Sequence, residues 1–167
     1  MLYILDTNIL VYPDRISHPM DIYPSYWDKM ADLLRFENVI SIDKVKDEIY
    51  RHQDGLTNWC KLNTQKSFWA LSVNCMVEYA EIQNWAQNKD YNERALIEFA
   101  DSKNADAFLV AYALNKKRVE DVEVSIVTLE VSAPESKRAI KIPDICLDFD
   151  IRFINNNDFF REIKASF

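Results

Sequence analysis

The chain has 167 residues, 49% hydrophobic and 13% aromatic, which fits a single globular domain and excludes a disordered chain. Its one glycine, Gly55, excludes the Gly-rich phosphate cradles of P-loop and dinucleotide-binding proteins, which need glycine where backbone approaches phosphate. A net charge of -7 and a pI near 4.9 are the wrong sign for a general nucleic-acid binder, although bound divalent cations reverse the field locally.

Residues 2–5 read as a buried strand running into Asp6-Thr7-Asn8. Pro13, Pro19 and Pro24 predict a long loop over 11–25, because proline interrupts a continuous helix. A helix follows over 25–36 with Trp27, Met30, Leu33 and Leu34 as its apolar stripe. Val39–Ile42 is a second strand, and Ser41 or Asp43 is placed to cap the next helix, 43–51, which carries Val45 and Ile49 on one face. Asp54-Gly55 breaks the chain, and Leu56, Trp59, Cys60 and Leu62 predict another amphipathic helix. Ser67–Trp69 reads as a short strand, and 73–87 as a helix with Val73, Val77, Ala80 and Trp85 in phase. Short and clear helices are expected at 92–98 and 105–115, the latter with Ala107, Phe108, Val110, Ala111 and Leu114 on a wide apolar face. Val122–Thr128 and Ile151–Ile154 are strands, and 157–164 closes the chain as a helix. Strands alternating with helices predict βαβ units, a mostly parallel sheet and one α/β domain over 1–167.

Cys60, Cys75 and Cys146 are widely spaced without a CxxC pair, and His18 and His52 are not at ligand spacing from them, so no zinc site is expected. Buried reduced thiols, the lack of a signal-peptide pattern and the lack of a membrane-length apolar run point to a cytoplasmic protein.

Four acids stand out by position: Asp6 ends the first strand, Glu48 lies in the helix after the second, Asp106 opens the 105–115 helix, and Glu130 follows the fourth strand. In a parallel sheet all four can gather at the edge where strands end and helices begin. Carboxylates crowded there repel one another and stay ionised most easily around a hard cation such as Mg²⁺ or Mn²⁺. Each acid also has a plain structural reading: Asp6 as a helix cap, Glu48 as a solvated helix residue, Asp106 as a first-turn acid favoured by the helix dipole, Glu130 as a loop acid. Asp144, Asp148 and Asp150 read as a solvated surface. Lys116, Lys117 and Arg118 complement a helix C-terminus, while Lys137, Arg138 and Lys141 lie near the acidic edge and could contact a phosphate backbone. Tyr12, Tyr23, Tyr26 and Trp27 suit base stacking, core packing or a partner-protein or homodimer interface.

Over its whole length the chain resembles the PIN-domain family of metal-dependent ribonucleases. The resemblance is carried by Asp6-Thr7-Asn8, by Glu48-Ile49, by the Ala105–Ala113 segment around Asp106, and by Val127-Thr128-Leu129-Glu130. It is similar also to an uncharacterised bacterial and archaeal PIN-like group that has a Tyr/Pro-rich loop after the first helix, a helix like that of Trp59, and a stretch like Lys141–Cys146. The resemblance implies a three-layer α/β/α sandwich around a central, mostly parallel sheet. It implies Asp6, Glu48, Asp106 and Glu130 as metal-binding carboxylates, with Asn8 and Thr7 or Thr128 orienting water or the coordinating groups. Many PIN domains carry Asp where this chain has Glu130, and Asp101 stands a helical turn or so before Asp106, placed to share its role. The activity implied is Mg²⁺- or Mn²⁺-dependent hydrolysis of RNA phosphodiesters, as the toxin of a toxin–antitoxin pair blocked by a small antitoxin protein. A catalytically degenerate PIN-like module binding RNA or protein is the alternative, and a hydrolase of small phosphate esters is a third.

Overall fold

The computed structural model describes residues 1–167. Short apolar runs form the sheet: β1 (Leu2–Leu5), β2 (Val39–Ile42), β3 (Trp69–Ala70), β4 (Val124–Val127) and β5 (Arg152–Ile154). The Val- and Ile-rich composition of β2 and β4 suits strands covered on both faces, and all four residues of β4 are buried. Every pairing is parallel, in the order β3-β2-β1-β4-β5, and Tyr3 of β1 faces Val39 on one side and Ser125 on the other. The chain thus builds outward from β1 through β2 to β3, then crosses back to add β4 and β5. Right-handed crossovers place the helices of these two excursions on opposite faces, giving a three-layer α/β/α sandwich of PIN-like topology. The direction of travel reverses between β1 and β4, and the crevice at the carboxyl ends of such strands is where open α/β sheets hold ligands.

The helices are α1 (Asn8–Tyr12), α2 (Pro24–Leu33), α3 (Asp43–Tyr50), α4 (Gly55–Asn63), α5 (Met76–Gln87), α6 (Glu93–Ala100), α7 (Asp106–Val119), α8 (Ile142–Asp148) and α9 (Asn156–Glu162). Ala107 through Leu114 of α7 are all buried, so this helix is apolar around its whole girth and forms the centre of its layer. Trp27, Met30, Leu33, Leu34, Val45 and Ile49 are buried as their spacing predicts. No helix is long and apolar enough to cross a membrane.

Four expectations are corrected. The expected loop over 11–25 is helical at its start: α1 passes into a turn of π-helix, Pro13–Ser17, closed by the His18 amide on Pro13 O at 2.7 Å. The change of hydrogen-bond pattern falls at Pro13, where a missing N–H is tolerated. Ser41 and Asp43 do not cap α3: Ser41 Oγ donates to Leu5 O at 2.6 Å, binding β2 to β1, and Asp43 Oδ1 accepts the Lys44 and Ser72 amides. The caps are Asp54, Asn92 and Asn155, so Asp54-Gly55 starts α4 rather than merely interrupting the chain. The apolar stripe expected from Val73 and Val77 faces solvent (65% and 79% exposed), and α5 buries Glu78, Ile82 and Ala86 instead. The segment before α5 is a tighter turn, Ser72–Cys75, and that change of pitch shifts the phase.

With its one glycine in the first turn of α4, the chain fills the left-handed positions after helices with Gln53, Asp121, Asp150 and Lys164, at φ of 49°, 53°, 53° and 56°. Beyond two of them the Ile151 amide closes on Cys146 O at 2.9 Å and the Ala165 amide on Phe160 O at 2.8 Å, the terminal pattern that glycine usually supports. A left-handed residue with a side chain costs about 1–2 kcal/mol, less for Asp, and glycine returns part of that in the unfolded state. Asp121→Gly is therefore expected to stabilise the fold by about 0.5–1 kcal/mol, raising Tm by about 1–4 °C. Thermal denaturation checks this, and Asp121→Ala should lower Tm.

Candidate functional site

Leu5 pairs with Val127, so the residues that follow β1 and β4 emerge side by side. Asp6, only 4% exposed, comes out beside Thr128, and the Thr128 hydroxyl donates to Asp6 Oδ2 at 2.7 Å. The Thr7 amide donates to Asp6 Oδ1 at 2.6 Å, which fixes the second oxygen. Asn8, opening α1, clamps the loop after β4: its Nδ2 donates to Thr128 Oγ1 at 3.2 Å and its Oδ1 accepts the Leu129 amide at 3.0 Å. The Glu130 amide also donates to Thr128 Oγ1, at 3.1 Å. Asn8 and Thr128 thus act on Asp6 and on residues 128–130 as positioning groups.

Glu48, one turn into α3, joins three elements. It accepts the Thr7 hydroxyl on Oε2, and on Oε1 the Ala105 amide at 2.8 Å, just ahead of α7. Asp106 begins α7, with its amide on Asn104 Oδ1 at 2.8 Å, and its carboxylate takes no donor from the protein. Glu130 is held from the far end of its loop: Lys141 Nζ lies 2.8 Å from Oε1 and the Ile142 amide 2.8 Å from Oε2.

Two of the acids, Asp6 and Asp106, respond to burial first and to their charged neighbours second. Burial pushes Asp6 up to about 7, the Glu130 and Glu48 charges add to the rise, and the Thr128 hydroxyl and Thr7 amide oppose it. Burial likewise lifts Asp106 well above the usual carboxylate range, reinforced by Asp6, Glu130 and Glu48 and opposed by the Lys141 ammonium. The fold therefore sets all four sequence-predicted carboxylates around the crevice at the switch point of the sheet, close enough for the charges of the others to act on Asp6 and Asp106. They do not meet as direct ligands: no group of three or more His, Cys, Asp or Glu side chains converges closely enough to hold an ion. Asp6, Glu48 and Glu130 already accept protein donors, and Asp106 is the free one. The donor set, four carboxylates against one ammonium, nevertheless fits a hard divalent cation in its chemistry.

Other residues separate from this pocket. Asp101 is exposed and spends Oδ1 on the Lys103 amide at 2.9 Å, not on α7. Lys116, Lys117 and Arg118 pair with Glu120, Asp150 and Glu81, and Lys137 pairs with Asp90. Tyr26 and Trp27 are buried core, while Tyr12 and Tyr23 are about half exposed. Asp144, expected on a solvated surface, is 6% exposed and holds the loop after β4 through Ser132 Oγ at 2.5 Å and the Ala133 amide at 3.1 Å. It belongs to α8, whose first-turn Pro143 is the one sequence signal that could have revealed that helix. The Asn104 cap on Asp106 and the Lys141 bond to Glu130 were likewise not read from the sequence; an Asn two residues ahead of an apolar helix was the available sign of the first.

Thr128→Val removes the donor to Asp6 and leaves the Asn8 amide and the Glu130 N–H without their shared acceptor. Unpaired buried polar groups cost about 1–3 kcal/mol, so Tm should fall by several degrees, about 2–4 °C per kcal/mol. Thr128→Ser, which keeps the hydroxyl, should stay near wild type in the same thermal scan.

A family model described as "Domain of unknown function (DUF4411)" matches residues 3–167. No curated protein and no solved structure matches the chain.

Proposed function

The chain belongs to the DUF4411 family, and from that premise we propose that it is a Mg²⁺- or Mn²⁺-dependent ribonuclease of PIN-like fold. One observation carries the reading: the buried Asp6 and the half-buried Asp106 are pushed toward neutrality by loss of solvent and by Glu48 and Glu130, at the switch point of a parallel sheet. Such a cluster is unfavourable unless a cation compensates it. Asp106, the one acid free of protein donors, would hold the ion directly. Asp6, Glu48 and Glu130, already engaged by protein donors, would reach it through its waters, which suits Mg²⁺ because that ion keeps several of them. A cation held there would supply an acidified water for attack on the phosphodiester and would offset charge on the phosphate oxygens. Thr128 and Asn8 hold Asp6 in place, and Lys141 brings a positive charge to the rim within the reach of a substrate phosphate.

The sequence resemblance adds a partner: a small antitoxin covering the acidic pocket, with the enzyme as the toxin of the pair. The three cysteines, all free and buried, fit a reducing cytoplasm. The failure of three acids to converge favours one second reading, a degenerate PIN-like module that binds RNA or protein without cutting. Incubating the protein with single-stranded RNA and Mn²⁺ separates the two, with a generic phosphate ester as the comparison substrate. Cleavage of RNA that stops in EDTA and in Glu48→Gln supports the nuclease. Intact RNA, together with no site-specific Mn²⁺ signal in electron paramagnetic resonance, supports the module, and faster turnover of the simple ester points to small phosphate esters.

A further inference from the structure

Of the twenty Lys and Arg side chains, eleven are in ion pairs. The nine that are not fall unevenly: Lys44 and Lys46 lie on α3 and Arg51 at its C-terminal cap, Lys61 on α4, Lys66 just after it, and Lys103 ahead of α7. Asp43, Asp47 and Glu48 interleave with them on α3, so the positive face is narrow: Lys44, Arg51 and Lys103 against Asp47 alone.

Part of that face adjoins the acid pocket. Lys44, Asp47, Glu48 and Arg51 follow the i, i+3, i+4, i+7 spacing of one helical stripe, so Glu48 is flanked by a cation one turn before it and another one turn after. Lys44 and Arg51 are about 10 Å apart along the axis. Both are steered toward the segment ahead of α7: Lys44 Nζ donates to Ser102 O at 3.3 Å and Arg51 Nη2 to Lys103 O at 2.8 Å. Two surface depressions meet there and share Arg51 and Lys103. One, about 360 Å³, includes Glu48 in its wall; the other, about 420 Å³, includes Lys44. Neither has an apolar residue in its wall, which suits phosphate and ribose rather than a lipid or a hydrophobic peptide. The first wall carries the acids Glu48, Glu98 and Asp101, of which Glu98 pairs with Arg94 at 2.8 Å, and the second sets Asp47 alone against Lys44, Arg51 and Lys103.

We propose that Lys44, Arg51 and Lys103 form a phosphate-binding track that guides a single RNA strand along α3 to the pocket at Glu48. The proposal rests on the ribonuclease reading and names the path of its substrate. A single strand is required because Asp6 is sunk at 4% exposure, and a phosphate must leave the outline of a duplex to reach it.

Fluorescence anisotropy of a fluorescein-labelled oligouridylate in EDTA, over a series of salt concentrations, tests the track apart from catalysis. Arg51→Gln combined with Lys103→Gln is expected to weaken binding about tenfold at low salt and to reduce the slope of log K against log salt by about 1.4, at about 0.7 per phosphate contact on a single strand. Adding Lys44→Gln should remove about 0.7 more. Arg51→Lys with Lys103→Arg keeps both charges and should bind near wild type. The charge-matched Lys29→Gln with Lys164→Gln, distant in sequence from the track, should leave affinity and slope almost unchanged. Equal weakening in that control, or an unaltered slope in the Arg51/Lys103 variant, overturns the track. Displacement of the oligonucleotide by polyglutamate at equal charge concentration also overturns it, assigning the face to an acidic protein segment. With Mn²⁺ present, oligouridylate held by the track but never cut sinks the nuclease reading and leaves the track standing. Cleavage with unchanged KM in the Arg51/Lys103 variant does the reverse.

Discussion

Asp106→Asn is expected to make the metal-free protein more stable and to abolish its RNA cleavage. The Asp106 carboxylate accepts no hydrogen bond from the protein, so its replacement by an amide breaks none. It does remove one member of a set of mutually repelling charges, since Asp6, Glu130 and Glu48 all disfavour its ionisation. At pH 8 in EDTA the variant should gain about 0.5–2 kcal/mol, the range seen when charge repulsion is relieved, and about 2–4 °C in Tm per kcal/mol. Mn²⁺ should then raise its Tm far less than that of wild type, because one direct ligand is gone. Cleavage should fall about a thousandfold, which corresponds to losing about 4 kcal/mol of transition-state stabilisation by the ion. A folded variant that cuts RNA at the wild-type rate would remove Asp106 from the metal site. A variant less stable than wild type in EDTA would reject the account of the pocket as a store of charge repulsion.

The second large effect is the pH dependence of stability. Asp6 titrates at about 7 in the folded chain and at about 3.9 when unfolded. Below pH 4 both states carry the proton. Between the two values the folded state keeps a proton that the unfolded chain has released, so stability falls as pH rises, and it levels off above pH 7. Three units of difference correspond to about 4 kcal/mol across that window. Asp106, also raised, adds to the fall with the same sign. In EDTA the Tm of the wild type is expected to decline steadily between about pH 5 and pH 8, and Asp6→Asn should flatten part of that decline, leaving the part that Asp106 contributes. Ion binding needs the carboxylates deprotonated, so stabilisation by Mn²⁺ should grow over the same interval, reaching about 2.7 kcal/mol at a hundredfold excess over Kd. The exposed acids held by cations, such as Asp148 beside Lys89 and Glu162 beside Arg152, act in the opposite sense, and their contribution is lost only as pH falls through the lower carboxylate range. A flat or rising Tm in EDTA between pH 5 and pH 8 would contradict the buried, crowded state of Asp6.

Periodicity reached furthest where burial is strong and local. The stripe of α2, the pair Val45 and Ile49, and the all-apolar α7 could be read directly, because each helix meets a continuous core. The four acids could be placed at one edge because parallel strands all end on the same side. What escaped depended on partners distant in sequence. The phase of α5 was lost because a tighter turn precedes it, and Val73 and Val77 are exposed despite being apolar. Asp144 resembled its solvated neighbours Asp148 and Asp150 until Ser132 and Ala133 were seen to fold back on it. Glu130 could be read as a fourth metal-binding carboxylate or as a loop acid, but not as the acceptor of Lys141 and the start of α8, which close a loop onto it across eleven positions. Composition reports that a residue is charged, and only the fold reports what it is charged against.

The pairing of β1 with β4 sets the order in which this protein becomes itself. The Thr128 hydroxyl reaches Asp6 across 122 positions of chain, and Leu2 finds its β4 partner only at Val124. Contacts of such long range form slowly and late, after the intervening layers have condensed. On the ribosome, a chain that stops short of Val124 has three strands available but no crevice between β1 and β4, no hydroxyl for Asp6 and no Glu130. Its acids stay apart and its central strand keeps one bare edge. The crevice is therefore absent from every partial product of translation that stops short of β4 and arises only when β4 docks, so a protein that cuts RNA would acquire that power only after most of its own message has been read.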